Sequence, residues 1–77
     1  MNAVIATGSR NGEILRYVDG AWTQLGKVRK EQLGRNPWRA FSSWETYQEA
    51  SSRDSAVRAL LVALGIDPAE YQPGAAA

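Results

Sequence analysis

Asn11-Gly12 and Asp19-Gly20 stand eight residues apart and constrain this chain more than any other feature. Both dipeptides tolerate the positive φ angles that tight hairpin turns require. Their flanks, "AVIATGSR", "EILRYV" and "AWTQLGKVRK", are rich in β-branched, aromatic and aliphatic residues. The pattern predicts a three-stranded antiparallel meander. If both turns are two-residue hairpins, Tyr17 pairs with Trp22 and Ile14 with Leu25. Alternation then collects Ala3, Ile5, Ile14, Val18, Ala21 and Leu25 on one face, and Val4, Leu15, Tyr17 and Trp22 on the other. The first set is aliphatic and suits packing under a helix. The second is either a further core or an exposed contact patch. A bulge at either glycine would change the assignment.

Beyond the meander, "NPWRAFSSWETYQEASS" admits two readings. Asn36-Pro37 is a good helix start. Trp38, Phe41, Trp44 and Tyr47, however, recur every three residues, a spacing that drifts around a helix instead of holding one stripe. Ser42, Ser43 and Thr46 also disfavour a helix interior. Two short strands, near Trp38–Ser42 and Thr46–Ala50, are therefore expected, with a turn around Ser43–Glu45. One helix from Pro37 to Glu49 is the alternative.

"SSRDSAVRALLVALG" reads as a helix. Ser51 and Ser52 are candidate caps, and Ser51-x-x-Asp54 resembles a capping box. Val57, Leu60, Leu61 and Leu64 form one apolar stripe. Gly65 supplies a left-handed end from which Ile66 folds back on Leu61. Asp67-Pro68-Ala69-Glu70 repeats the start signal and predicts one further turn. The expected fold is α+β: a small antiparallel β-meander of four to five strands packed against one C-terminal α-helix. Residues 1–72 form a single sheet-plus-helix domain, and residues 73–77, "QPGAAA" without its first letter, a mobile tail.

The 77 residues include no Cys and no His. That removes disulfides, zinc sites built on those residues, the commonest general base and the best thiol nucleophile. The acid pairs Glu45/Glu49 and Asp67/Glu70 define no catalytic cleft. No phosphate-binding glycine motif is present. The chain is accordingly expected to be non-catalytic, with no cofactor and no metal. It has no apolar run long enough to span a membrane and no signal peptide, so the cytoplasm is the expected compartment.

Formal net charge is +1, but it is unevenly spread. Arg10 to Arg39 carries seven basic and three acidic residues, whereas Ala40 onward carries two basic and five acidic. Lys27, Arg29, Lys30, Arg35 and Arg39 cluster around one predicted strand and the loop after it. Alternation places Lys27 and Arg29 on one face, where Arg39 can join them. Such a face can neutralise phosphates and read guanine edges, with Trp38 or Trp22 stacking nearby. The competing reading is a solvated face whose cationic stems cover apolar surface. Trp44, in the predicted turn "SSWE", would serve as an interface anchor if exposed.

From Gly26 the order is G-x-V-x-x, then W-x-A at Trp38–Ala40, then Tyr47 leading into "ASSRDSAVRALL". This resembles the three-strand-plus-helix DNA-binding domains of plant ethylene-response factors and the arm-binding domains of phage tyrosine integrases. The resemblance implies that Lys27, Arg29, Arg39 and Trp38 face DNA, while Ala56, Val57, Leu60 and Leu61 hold the helix on the sheet. The chain departs from those families at "EASS", where they carry a Gly-aromatic pair, and in its added N-terminal hairpin.

Two functions follow as expectations. One is a small phage- or mobile-element-type accessory protein that binds nucleic acid, DNA foremost, through Lys27, Arg29, Lys30, Arg35, Arg39 and Trp38. The other is a protein-binding module anchored by Tyr17, Trp22 and Trp44. It would be a phage-encoded inhibitor of a host nucleic-acid-processing or defence complex, or a homo-oligomeric subunit such as a homodimer.

Overall fold

A computed structural model describes residues 4–8, 12–31, 33–43 and 45–76, with side chains described through Pro73. The described residues form five strands, a helix and a sixth strand: β1 (Val4–Thr7), β2 (Glu13–Val18), β3 (Ala21–Lys30), β4 (Trp38–Phe41), β5 (Tyr47–Ala50), α1 (Arg53–Ala63), a 3-10 turn (Pro68–Glu70) and β6 (Tyr71–Ala76). The sheet order is β5-β4-β3-β2-β1-β6, antiparallel throughout except for the parallel β1–β6 pair. The fold is thus the small α+β sheet-plus-helix expected, with six strands where four to five were anticipated.

Asp19 and Gly20 take φ of 53° and 83°, and around them Val18 pairs with Ala21 and Tyr17 with Trp22. This is the two-residue hairpin that Asp-Gly predicts, because both central positions need left-handed backbone. The β1–β2 connection differs. Thr7 pairs with Ile14, two residues away from the register a two-residue Asn11-Gly12 turn would impose. A shift of two preserves which side chains face which way. Asn11 lies outside the described residues. Gly12 (φ 67°) docks on β3, its carbonyl accepting the Val28 amide at 2.8 Å.

The second departure is a bulge. Leu15 pairs with Gln24 but Ile14 pairs with Gly26, so Leu25 is the extra residue and does not face Ile14 as expected. A bulge reverses the alternation beyond it. Before the bulge, the odd-numbered Ala21 and Thr23 share the face of Ile14. After it, the even-numbered Val28 does. Val28 thereby enters the core, while Lys27 and Arg29 turn to the opposite face. Gly26 allows β4 to approach, for a Cβ there would stand 2.1 Å from the Phe41 carbonyl oxygen.

In place of a helix stand the strands β4 and β5, with Phe41 opposite Tyr47, Trp38 opposite Ala50, and the Ser42 amide donating to the Thr46 carbonyl at 3.0 Å. The helical alternative is excluded. Helix α1 starts at Ser52, whose Oγ accepts the Ser55 amide at 3.2 Å, so the cap is one residue later than the Ser51–Asp54 box anticipated. Its end follows the Schellman pattern: Gly65 has φ 77°, the Ile66 amide donates to the Leu61 carbonyl at 2.8 Å, and Gly65 donates to Val62 at 3.0 Å. Asp67 caps the short turn by accepting the Ala69 amide at 3.0 Å.

The core lies between α1 and one sheet face. Ile5, Ile14, Val28 and Ala40 meet Ala56, Val57, Leu60 and Leu61 with almost no solvent exposure. Each large aliphatic group so buried contributes about 1.5–3 kcal/mol relative to exposure. Trp38, Ala50, Leu25, Leu64 and Ile66 pack around this centre. Tyr71 is also buried, and its hydroxyl donates to Asp54 Oδ1 at 2.7 Å. Burial, then that bond and the carboxylate charge, push the phenol up to about 12. Beyond residue 72, where a tail was expected, the backbone through Ala76 runs as strand β6 beside β1. Backbone pairing needs no side chain to bury, which is why "PGAA" can form a strand. Pro73 is tolerated because β6 is an edge strand.

Candidate functional site

The face opposite the helix carries the candidate site. Register fixes its grid. Lys27 sits opposite Phe41, which sits opposite Tyr47; Arg29 sits opposite Arg39, which sits opposite Glu49; Glu13 sits opposite Lys27. Lys27, Arg29 and Arg39 therefore do share one outward plane.

That plane is not a bare cationic one. Arg29 Nε donates to Glu31 Oε1. The other oxygen of Glu31 lies 3.5 Å from Arg39 Nη1, and Arg39 Nη2 donates to Glu49 at 3.2 Å. The guanidiniums also stack on rings, Arg29 over Phe41 at 5.1 Å and Arg39 over Tyr47 at 4.8 Å from the centroids. Three cations (Lys27, Arg29, Arg39) are thus matched by three carboxylates (Glu13, Glu31, Glu49) on the same face. Each exposed ion pair is worth about 0–1 kcal/mol. Their larger effect is to offset the broad positive field on which binding to a nucleic-acid backbone depends.

The other predicted cations are placed elsewhere. Lys30 pairs with Trp38 and so points to the helix side of the sheet, and Arg35 is exposed between β3 and β4. Lys27, Lys30 and Arg35 form no ion pair with a described residue. Trp38 is half-buried against the core, on the opposite face from Arg29 and Arg39, so it is not positioned to assist them. The six residues proposed for nucleic acid are therefore brought together only as Lys27, Arg29 and Arg39. Trp44 lies outside the described residues.

A cleft lies across the outward face of β3, β4 and β5, with a volume of about 420 Å³. Arg29, Arg39, Glu31, Ser42 and Ser43 supply its polar lining, and Phe41 and Tyr47 its rings. Sequence reasoning reached the arginines but missed Glu31, Phe41, Ser42, Ser43 and Tyr47. The three-residue aromatic spacing that indicated strands was also the signal that Phe41 and Tyr47 would lie side by side.

At the other end of the same face, Tyr17 and Trp22 form a cross-strand pair, ring centroids 5.2 Å apart and planes inclined by 54°. They are 39% and 44% exposed. Val18, on the reverse side of this hairpin end, is 41% exposed, and Ala21 to Gln24 are all exposed. Helix α1 packs on β5, β4 and β3 but leaves this hairpin end uncovered. Arg16, just below, pairs with Glu70 through two hydrogen bonds of 3.0 and 3.1 Å.

No protein family, no curated protein and no solved structure was found to match this chain. Among the described residues, no helix is long and apolar enough to cross a membrane, and no group of His, Cys, Asp or Glu is arranged to hold a metal ion.

Proposed function

We propose that this chain is a non-catalytic protein-binding module whose anchor is the Tyr17–Trp22 pair. The observation that carries the reading is the uncovered hairpin end: two large aromatics held in mutual contact, half exposed, with no helix beneath them. Aromatic side chains on a rigid hairpin combine large contact area with few rotatable bonds, so little ordering cost is left for binding. The charge balance of the rest of the face favours a protein over a polyanion. An inhibitor docking on a host nucleic-acid-processing or defence complex is one form of this function, and a homo-oligomeric subunit is another.

The test uses immobilised protein and nuclease-treated lysate from the source cells. A defined protein retained by the native chain and lost with Tyr17→Ala/Trp22→Ala is the expected result. Retention that survives the double substitution, or that vanishes on nuclease treatment, overturns the reading. Sizing chromatography with light scattering separates capture of another protein from self-association.

Nucleic-acid binding is retained as a second reading because Lys27, Arg29 and Arg39 share an outward plane with Phe41 and Tyr47. It predicts a mobility shift whose log-log salt slope grows by about 0.9 per phosphate contacted on duplex DNA. Arg29→Ala/Arg39→Ala should abolish that shift. A salt-insensitive or absent shift removes this reading.

A further inference from the structure

We propose that the cleft between β3, β4 and β5 binds a phosphate monoester, and that Glu31 occupies the position of its oxyanion when the site is empty. This goes beyond the hairpin reading and does not rest on it, since the cleft lies at the other end of the sheet face.

The argument is a surplus of donors. Arg29 gives only Nε to Glu31, leaving both terminal amino groups without an acceptor among the described residues. Arg39 donates Nη2 to Glu49 and holds Nη1 3.5 Å from Glu31 without a hydrogen bond, while its Nε is shielded from solvent and has no acceptor. Ser43 Oγ accepts the Thr46 amide at 3.2 Å, so its own O–H remains to be donated. Ser42 adds a second hydroxyl to the lining. Against these donors the cleft lining offers one carboxylate, that of Glu31. A phosphate brings several acceptor oxygens at once, and planar guanidiniums match its edges in pairs.

The two guanidiniums are also prepared for an anion. Each lies over an aromatic ring, Phe41 or Tyr47, a contact that restricts the side chain before binding. Glu31 bridges both. A single carboxylate shared by two arginines marks where a ligand's negative charge is best received. Glu31 is the first residue after β3, its backbone tied to the Pro37 carbonyl at 2.8 Å, so its side chain can turn away without moving the strand. A volume of about 420 Å³ admits a phosphate together with a small attached group.

The experiment is an amide-resolved NMR titration at neutral pH with inorganic phosphate in one arm and phenyl phosphate in the other. The native chain should show saturable shifts at residues 39–43 and 47. Glu31→Gln, which removes the internal competitor, should bind at least tenfold more tightly. Adding Arg29→Ala to Glu31→Gln should reverse that gain, and Trp22→Ala should leave affinity unchanged. A thermal melt confirms that each variant is folded. Equal affinity in both arms assigns the site to free phosphate, and tighter phenyl phosphate to a phosphate carried on a ring. No saturable shift in the native chain overturns the proposal, as does a Glu31→Gln affinity no better than native. A tenfold loss with Trp22→Ala overturns it too, because binding would then lie at the hairpin.

Discussion

Two regions of one sheet, the β4–β5 end and the β2–β3 turn, stand in opposite relations to the core. At the β4–β5 end, one face is sealed by α1 and the other is locked by stacked guanidiniums and carboxylates. At the β2–β3 turn, Val18, Ala21, Tyr17 and Trp22 are exposed on both faces. The first end secures the fold. The second is held by its hairpin hydrogen bonds and one aromatic contact, and its large apolar side chains add little to the core. Exposed apolar groups that the fold does not need are the ones most available to a partner.

The contrast would break most clearly at the helix. Leu60→Ala, at the fully buried centre of the α1 stripe, should cost about 2–5 kcal/mol in chemical denaturation. A loss below about 1 kcal/mol would mean the covered end is not the stabilising one. Gly26→Ala probes the seam between the two ends. Its Cβ would meet backbone at 2.1 Å, so strands β3 and β4 must separate, and a loss of about 1–3 kcal/mol or more is expected.

Tyr71 sharpens the comparison through pH. Its phenol is raised to about 12 in the fold, against about 10 in an unfolded chain. The folded state therefore keeps the proton longer. Its contribution is complete below pH 10 and declines as pH rises toward about 12. Tyr71→Phe should lower stability at neutral pH by about 1–3 kcal/mol, because Asp54 loses its donor. It should also flatten the alkaline decline seen in native melts. Smallest of all, Trp22→Ala should cost no more than about 0.5–1.5 kcal/mol, the value of one aromatic pair. A loss equal to that of Leu60→Ala would place Trp22 in the core and remove the distinction.

Local chemistry accounts for what could be read in advance. Asp19-Gly20 determined its own turn, since few dipeptides accept two successive positive φ angles. The stripe of Val57, Leu60 and Leu61 and the Gly65 stop defined α1 for the same reason: all the determinants lie within a few residues. The bulge at Leu25 was not legible, because it depends on β4 reaching Gly26 from fifteen residues away. From that one extra residue follows the outward turn of Lys27 and Arg29. The pairing of Arg39 with Glu31 and Glu49 was equally hidden, being a product of register across three strands. A count of charges along the chain suggested a cationic face; the register made it a balanced one. Strand β6 escaped notice because its backbone, and not its side chains, does the pairing.

That last strand has a kinetic consequence. The β2–β3 and β4–β5 hairpins join neighbours in the chain, but the β1–β6 seam brings Ile5 to Tyr71 and Thr7 to Ala76. Contacts of such separation form slowly, because a large loop must close before any bond rewards it. Zipping should therefore run outward from the hairpins and finish at this seam. In a refolding experiment with pulsed amide exchange, protection should come early across β2 and β3 and last along β6.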